Sequence, residues 1–557
     1  MKQIFIFCGI AAFAFSCSKG DSDGSTDPTT PPGTDITLPL TVQVTSGSYS
    51  ASDGLENVPV TLNEGDAIGL YILRSGNPEA TAVKLTLGSD GTWSADEELK
   101  HAEGNRYFAY YPWQEQPAGT IQADAENDAT FFAGMIAEWA PAADQSTPEK
   151  FAAAALMTAT GKATATADAA TLDLQFTPRT ALVGISFPQT VYKFTNTPSI
   201  PDYTVPASNI VFDGFTPSIL DNEVYLYQVN PNSDSEIKGS YGDGETWTLA
   251  GADSEAGRLT LHAVGSGDTE KQHTLQVGDF FLADGNLLSK DTEAATVAAA
   301  PVVGIVYQID PNRISDAEKE ALGGKVHGQV ISSQMLISST QNPLKWCTYG
   351  GQGDRDESSI GLKPIPDLNS DHATNVKLAD AAIDGYYYTT QILTQRADDL
   401  EKFYPLFCEI QNFATLAGGP VSGINATGWY LPAIGQWFDV IRGLGGYDMA
   451  VDSPDLSPFI LDGIEYVDTF YWTYKDDVDI VPSLNKAMEK VAAERKYNYM
   501  INQTNTFWTS SLMSNTAAHT FSFNSKEVPP YTPDYWCLNV LTGPKHLHYY
   551  TRAMLCF

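Results

Sequence analysis

The strongest constraint on the fold is a run of short apolar segments, interrupted by turn residues, between Leu38 and Pro188. LPLTVQVTS alternates apolar and polar residues, and DAIGLYIL reads as a buried strand that a turn follows. Asp90-Gly91 is a preferred pair for the turn of a β-hairpin. The only local helix pattern is STPEKFAAAALM. These features predict an antiparallel β-sandwich.

Two further regions follow the first. Residues 189–275 contain the alternating segments SNIVFDGF, NEVYLYQVN, ETWTLAG and GRLTLHAVGSG, which predict a second β-sandwich. Residues 276–557 mix strand and helix patterns, which predict an α+β domain. The predicted fold class is therefore mainly β: two tandem antiparallel sandwiches, at 37–188 and 189–275, followed by an α+β domain.

Two helices are predicted in the last region. In ADDLEKFYPLFCEIQNFATLAG the apolar residues at 400, 403, 406, 407 and 410 have helical spacing, and Asp398 and Asp399 are favourable at a helix start. In GWYLPAIGQWFDVI a second helix begins after Pro432. Its spacings of three and four predict a buried stripe of Ile434, Trp437, Phe438 and Ile441.

The N-terminus has the features of an export signal, at residues 1–16. Lys2 precedes an apolar run that is too short to span a bilayer, and the run ends at Ser16-Cys17. This resembles a bacterial lipoprotein signal, in which Cys17 would carry the lipid, although Ala14 and Phe15 depart from the usual pattern. An ordinary cleaved signal peptide is the alternative. Residues 17–36 are rich in Ser, Thr, Asp, Gly and Pro and predict a flexible acidic tether, which resembles the surface-export signal of Bacteroidetes lipoproteins. We therefore expect a lipid anchor in the outer membrane, at the cell surface.

The charge of the chain argues against several classes of partner. With 68 acidic residues against 32 Lys and Arg, the formal net charge is -36. Nucleic acids and anionic membrane surfaces would be repelled, so neither is predicted as a partner. This charge suits a solvated protein on the outside of a cell.

No motif of an enzyme or a cofactor site emerges from the sequence. It contains no HExxH, Walker loop, GxSxG or dinucleotide fingerprint. Asp354 and Asp356 alternate as at the start of an EF-hand loop, but the glycine and the late glutamate of that motif are missing, so a solvated loop is predicted. We predict no catalytic residue, no metal and no cofactor.

Four cysteines follow the signal region: Cys347, Cys408, Cys537 and Cys556. An exported chain permits disulfides, and four cysteines allow three pairings. No two of them have Cys-x-x-Cys spacing, so a zinc site is not expected.

Aromatic residues are concentrated in two segments of the C-terminal region, which are predicted to be loops. Exposed aromatic side chains on a rigid scaffold suit glycan stacking or protein recognition. The alternative is that they cover a core rich in loops. The ligand-binding candidates are Tyr471, Trp472, Tyr474, Tyr531, Tyr535 and Trp536.

The first two regions carry a family resemblance. In order, VTLNEGDAIGLYIL, DGTWSADEELK, NRYFAYYPW, DQSTPEKFAAAALMTATG and LDLQFTPRTALVGISF resemble the fimbrillin family of Bacteroidales, the pilin-like subunits of surface fimbriae. Pro178-Arg179 stands where family members end a strand in His-Arg or a similar pair. The resemblance implies two β-sandwiches and a role in a fimbria, with other fimbrial subunits as partners.

The last region resembles the C-type-lectin-like domains of some bacterial surface proteins. The matching segments are Val277-Gly278-Asp279, Gly304-Ile305-Val306, Cys408, residues 428–432, Trp508-Thr509-Ser510 and the terminal YYTRAMLCF. Related domains pair a helix cysteine with one in the last strand, which implies a disulfide between Cys408 and Cys556 and leaves Cys347 with Cys537. Calcium-dependent lectins place ligand oxygens where this chain has Trp508-Thr509-Ser510, so we expect no calcium-dependent sugar site.

Together the resemblances imply a cell-surface adhesin, a tip or accessory subunit of a fimbria. Its lectin-like domain would bind a host, bacterial or matrix protein or glycan. Fimbrial subunits are matured by an Arg-specific protease near the N-terminus, but the first arginine here is Arg74, inside a predicted strand, which favours a terminal position in the fibre. The alternative is an outer-membrane glycan- or protein-binding lipoprotein that is not assembled into a pilus. An enzyme is not expected.

Overall fold

A computed structural model describes most of the chain from residue 37 to residue 557. Outside the described residues lie 1–36, 52–55, 75–81, 118, 197–199, 221–223, 234–235, 251–253, 339–341, 349–355, 367–371, 418–424, 452–458, 462–463, 467–470, 475–479, 498–503 and 526–535.

The described residues form strands β1 (Leu38–Thr45), β2 (Ser48–Ala51), β3 (Val58–Pro59), β4 (Ala67–Leu73), β5 (Ala82–Leu87), β6 (Trp93–Ser94), β7 (Lys100–His101), β8 (Arg106–Tyr111), β9 (Met157–Ala165), β10 (Ala170–Gln175), β11 (Thr177–Pro178), β12 (Ala181–Ser186), β13 (Thr190–Phe194), β14 (Tyr203–Val205), β15 (Val211–Phe212), β16 (Ser218–Leu220), β17 (Val224–Val229), β18 (Glu236–Tyr241), β19 (Glu245–Ala250), β20 (Arg258–Ala263), β21 (Thr269–His273), β22 (Phe280–Leu282), β23 (Leu287–Leu288), β24 (Val302–Gln308), β25 (Gln329–Ser332), β26 (Leu344–Lys345), β27 (Phe459–Leu461), β28 (Ile464–Tyr466), β29 (Tyr471–Tyr474), β30 (Thr504–Leu512), β31 (Ala517–Ser525), β32 (Trp536–Pro544), β33 (His548–Tyr549) and β34 (Met554–Cys556).

The α-helices of the described residues are α1 (Asp128–Phe131), α2 (Ala133–Glu138), α3 (Pro148–Ala154), α4 (Ala294–Ala299), α5 (Asp316–Ala321), α6 (His372–Ala381), α7 (Gly385–Gln395), α8 (Leu400–Phe403), α9 (Pro405–Ala417), α10 (Ile434–Leu444) and α11 (Ile480–Ala487). Short 3₁₀ helices cover Pro311–Arg313, Glu357–Ile360, Ala397–Asp399 and Ala493–Arg495. None of these helices has the length and apolar composition that a transmembrane span needs.

The chain divides into two compact units. The first contains Met1–Gly47, Leu62–Met135 and Met157–Thr177, and the second contains Ser48–Thr61, Ile136–Leu156 and Pro178–Phe557. Strand β2 belongs to the second unit, where the buried hydroxyl of Tyr49 donates a hydrogen bond of 2.6 Å to Gln228 Oε1.

The first unit is built on one sheet with the strand order β6-β5-β4-β8-β9-β10-β1-β7. The predicted hairpin at Asp90-Gly91 is confirmed, because β5 pairs with β6 and Gly91 has a φ of 80°. Aromatic side chains fill the core of this unit, and the rings of Phe108 and Phe131 stack with centroids 4.2 Å apart.

The sheets are not purely antiparallel, and that part of the fold prediction is wrong. Strand β1 pairs with β10 in parallel, from Leu40 opposite Ala170 to Thr45 opposite Gln175. In the second unit, β12 pairs in parallel with β20, and β13 with β21. Alternation along a strand is the same in both directions, so a strand pattern does not specify the direction of its partner.

The β-rich part of the second unit is a sandwich. One layer is a sheet in the order β16-β17-β12-β20-β2-β3, and β15, β18 and β19 form another sheet. Val183, Ile185 and Phe187 of the first layer pack with Ile237 and Trp247 of the second. Strand β12 lies before residue 188, while its partners β17 and β20 lie after it. The domain boundaries predicted from the sequence stay predictions.

A five-stranded sheet organises the C-terminal part of the second unit. Its order is β23-β22-β24-β25-β34, so the last strand of the chain pairs with β25. Successive residues of β34 face opposite sides of a sheet: Met554 packs in one hydrophobic core and Leu555 in the other. A second sheet, in the order β29-β32-β31-β30, borders the first of these cores, to which Phe521 and Leu538 contribute.

The predicted stripe of the second helix is confirmed. Ile434, Trp437, Phe438 and Ile441 of α10 are all buried in the core between the two sheets. Trp437 stacks on Phe521 with ring centroids 5.5 Å apart. These four side chains therefore anchor α10 to the sheets.

The first predicted helix is interrupted. The segment forms α8 and α9 instead of one helix, and Tyr404 between them has non-helical backbone angles. Proline lacks a backbone N–H and disfavours the helical conformation in the residue before it, so Pro405 ends α8 and begins α9.

An ion pair between Asp144 and Lys150, which begins just before α3, allows a test of local electrostatics. The Asp144 carboxylate accepts hydrogen bonds from the Lys150 ammonium at 2.5 Å and from the Ser146 hydroxyl at 2.7 Å. These interactions, chiefly the one with Lys150, lower the pKa of Asp144 to about 2. Because the pKa is lower in the folded chain, the stabilisation is complete above about pH 4 and is lost as the pH falls from about 4 to 2. Lys150→Ala is expected to raise this pKa towards its ordinary value, as measured by carboxyl ¹³C chemical shifts. An unchanged shift profile would contradict this assignment.

Candidate functional site

Four of the six predicted ligand-binding residues lie on two paired strands. Strand β29 contains Tyr471, Trp472 and Tyr474, and it lies at one edge of the four-stranded sheet. It pairs antiparallel with β32, so that Tyr474 lies opposite Trp536. The structure thus brings together two aromatic segments that are about sixty residues apart in the sequence. Tyr531, Tyr535 and the lipidation candidate Cys17 lie outside the described residues.

The disulfide implied for Cys408 and Cys556 is not formed in this structure, where both carry free thiols. Cys556 packs in a small cluster with Ile314, Leu322 and Val326, whereas Cys408 on α9 packs against a different core. Neighbouring strand residues face opposite sides of a sheet, so Leu555 and not Cys556 faces the core that Cys408 contacts. The side chain of Cys537 lies outside the described residues, so its pairing with Cys347 stays a prediction.

An open pocket of about 620 Å³ lies in the C-terminal part, a size typical of ligand sites. Its lining comprises Ser338, Thr348, Pro405, His548 and residues 342–345. Lys345 on β26 lies directly opposite His548 on β33, so these two basic residues are neighbours in the lining of the pocket. None of the described lining residues is Asp or Glu.

The walls of the pocket are held together by hydrogen bonds. The Thr348 backbone N–H donates to the Phe403 carbonyl at 2.7 Å, and its hydroxyl donates to the Lys402 carbonyl at 2.7 Å. These bonds fix the segment after β26 against α8, which leads into Pro405. The Cys347 N–H donates to the Lys545 carbonyl at 3.0 Å, which attaches the same segment to the residue that follows β32.

Two buried tryptophans attach the pocket to the four-stranded sheet. The indole N–H of Trp346 donates to the Thr509 carbonyl at 3.0 Å, and that of Trp508 donates to the Leu344 carbonyl at 2.9 Å. Trp346 directly follows β26 and Trp508 lies on β30, so each indole bonds to the segment that carries the other. This exchange holds β26 and β30 in a fixed relation.

A buried ion pair lies beside Trp346, the residue that follows the pocket residue Lys345. The Lys545 ammonium bonds to the Glu357 carboxylate, and both side chains are almost completely inaccessible to solvent. Lys545 Nζ also lies 4.6 Å from the centre of the Trp346 ring and donates to the Asn515 carbonyl at 2.9 Å. The Tyr404 hydroxyl donates to Glu357 at 3.1 Å, and burial, reinforced by the Glu357 charge, raises the pKa of this hydroxyl.

The aspartates of the EF-hand-like segment give no metal site in the described residues. Asp354 lies outside them. Asp356 caps the 3₁₀ helix that follows it, since its carboxylate accepts from the Ser358 N–H at 3.0 Å, and the Ser358 hydrogen bonds lower the pKa of Asp356. Across the described ranges, no group of three or more His, Cys, Asp or Glu side chains is placed to hold a metal ion.

Comparison with known structures defines the class of fold. No protein-family model matches the chain. The chain is similar in structure to a fimbrial protein from Bacteroides ovatus, whose crystal structure superposes with a TM-score of 0.61 and 21% sequence identity. The superposition covers 94% of this chain and 100% of the other. The chain therefore has the fold of a Bacteroides fimbrial protein, mainly β with several sheets and some helices.

Among proteins of known sequence, the chain is similar to one that is provisionally named as the fimbrium tip subunit Fim1C of Bacteroides ovatus. The two are 25% identical over 429 residues, which is 68% of this chain and 74% of the relative.

Sequence reasoning missed the pocket. Lys345 and His548 are about two hundred residues apart, and neither lies in a motif that indicates binding. Only the pairing of β26 with β33 places them together.

Proposed function

We propose that this chain is a cell-surface adhesin that forms the tip, or an accessory subunit, of a fimbria. The observation that carries the proposal is its similarity to a protein named as a fimbrium tip subunit, over 68% of this chain and 74% of the relative. The fold it shares with a fimbrial protein along nearly the whole chain supports it. Other fimbrial subunits are the proposed partners.

In this proposal the C-terminal region, residues 276–557, is a C-type-lectin-like domain that binds a host, bacterial or matrix protein or glycan. The aromatic pair of strands β29 and β32 and the pocket beside β26 are two candidate contact surfaces in that region. Cys17 would carry the lipid, and residues 17–36 would be the tether to the outer membrane. The proposed activity is binding, without catalysis.

The second candidate is an outer-membrane glycan- or protein-binding lipoprotein that is not assembled into a pilus. Between Cys17 and Arg74 the only basic residue is Lys19, so the arginine of fimbrial maturation is missing or displaced; this argues against a position within the fibre shaft and is compatible with both candidates. Genes for other fimbrial subunits beside this one would favour the first candidate, and a glycan-transport operon would favour the second.

Fractionation of surface fibres separates the two candidates. Fibres sheared from the native cells and purified by density are expected to contain this chain, as detected by mass spectrometry. The matched control is the same preparation from a strain that lacks the gene. Recovery of the chain only with the outer membrane, with none in the fibres, would exclude the pilus role.

A further inference from the structure

We propose that the pocket beside β26 and β33 binds a carboxylate-bearing sugar. The inference deepens the proposed adhesive function and rests on it, because it names the class of ligand that a surface adhesin would take. It stands on the charge, hydrogen-bonding groups and shape of this one pocket.

The first step concerns charge. The chain has a net charge of -36, yet this pocket presents Lys345 and His548 and no described acidic lining residue. Some other cations in the second unit have acidic partners: Lys193 pairs with Asp202, and Arg442 pairs with Asp380, Asp439 and Asp448. In the part of the chain that the structure describes, neither Lys345 nor His548 forms an ion pair.

Lys345 and His548 lie directly opposite each other, so that a single anion can contact both side chains. The anion gains a charge-assisted hydrogen bond from the Lys345 ammonium. A ligand carboxylate has two oxygens, one for the Lys345 ammonium and one for an N–H of the His548 ring.

The second step concerns the rest of the ligand. Ser338 and Asn342 bring a hydroxyl and an amide group to the lining, and these groups can both donate and accept hydrogen bonds. The Thr348 hydroxyl, which donates to the Lys402 carbonyl, can accept one more. Sugar hydroxyls need this mixture of donors and acceptors. Pro343, Leu344 and Pro405 supply apolar surface for the C–H face of a sugar ring.

The backbone of the pocket favours a sugar over a peptide. A peptide carboxylate is usually captured by backbone N–H groups or by a free strand edge. Here the N–H of Ser338 donates to Asn342 O, the N–H of Asn342 donates to Ser338 Oγ, and the N–H of Thr348 donates to Phe403 O. Since these backbone donors are already used, side chains provide the recognition.

The test compares two sugars that differ only at carbon 6. Methyl glucuronide carries a carboxylate there and methyl glucoside a hydroxymethyl group. Both are titrated into the purified full-length chain, and binding is followed by saturation-transfer NMR. Glucuronide is expected to bind in the millimolar range and the glucoside at least tenfold more weakly, as the loss of a charge-assisted contact predicts.

Variants assign the binding to this pocket. Lys345→Gln and His548→Asn are each expected to weaken glucuronide binding at least tenfold, while Lys345→Arg, which keeps the charge, retains it. The matched control is Lys238→Gln, an exposed lysine on β18, which is expected to leave binding unchanged. Circular dichroism of each variant checks that it is folded.

Several outcomes would overturn the inference: equal binding of the two glycosides, no binding of either, or full binding by Lys345→Gln. Tighter binding of glucose 6-phosphate would reassign the pocket to phosphate, and binding of acetyl-triglycine in place of the sugars would reassign it to peptide carboxylates. Because all these titrations use the purified chain, their result is independent of whether the chain is found in fibres.

Discussion

Replacing Glu357 by glutamine is expected to destabilise the C-terminal part by about 3–5 kcal/mol. The variant removes the negative charge but leaves the Lys545 ammonium buried beside Trp346, with a side-chain exposure of 1%. An ammonium without a counter-charge cannot be hydrated there, so the folded state rises in free energy. Hydrogen exchange of the Cys347 and Thr348 amides measures the change, because their bonds to Lys545 and Phe403 open when this region unfolds.

Two further variants separate the charge from other effects of the substitution. Adding Lys545→Met to Glu357→Gln removes both charges and keeps an acceptor for Tyr404, so most of the lost stability is expected to return. Lys193→Met breaks an exposed ion pair with Asp202 and is expected to cost less than about 1 kcal/mol. If Glu357→Gln cost no more than this surface variant, the buried pair would not be structurally important.

Trp437→Ala is expected to lower the free energy of unfolding by about 3–5 kcal/mol, because it removes a large side chain from the core. The side chain of Trp437 is fully buried, stacks on Phe521 and lies with its ring centroid 5.1 Å from that of Phe507. Alanine leaves a cavity where α10 meets both the five-stranded and the four-stranded sheet. Hydrogen exchange of the α10 amides reports the loss.

Two comparisons make this result specific. Trp437→Phe keeps most of the packing and is expected to cost less than half as much as the alanine variant. Trp93→Ala, at a half-buried position on the two-residue strand β6, is the matched tryptophan control and is expected to leave α10 exchange unchanged. If the α10 amides exchanged at the same rate in the wild type and in Trp437→Ala, the packing of Trp437 would not be what stabilises this core.

Features encoded by local spacing could be predicted from the sequence. The buried stripe of Ile434, Trp437, Phe438 and Ile441 follows from positions three and four apart. The hairpin at Asp90-Gly91 follows from the turn preference of that pair. Both depend on residues that are neighbours in the chain, and both are confirmed.

Features that depend on distant partners could not be predicted. The parallel pairing of β1 with β10 joins segments separated by more than one hundred residues, and alternation does not encode direction. The pairing of Lys345 with His548 likewise arises from the fold alone. The Cys408–Cys556 pairing, taken from a resemblance, is not formed in this structure, where the two thiols pack in different clusters.

The most direct test of the central claim is the position of this chain on intact fibres. Immunogold electron microscopy with an antibody against residues 276–557 would be applied to cells that carry the native gene, with a gene-deleted strain as the control. Gold particles are expected at fibre ends, at one or a few per fibre. Particles confined to the cell envelope, with bare fibres, would contradict the assignment to a fimbria, and uniform labelling along the fibres would contradict a tip position.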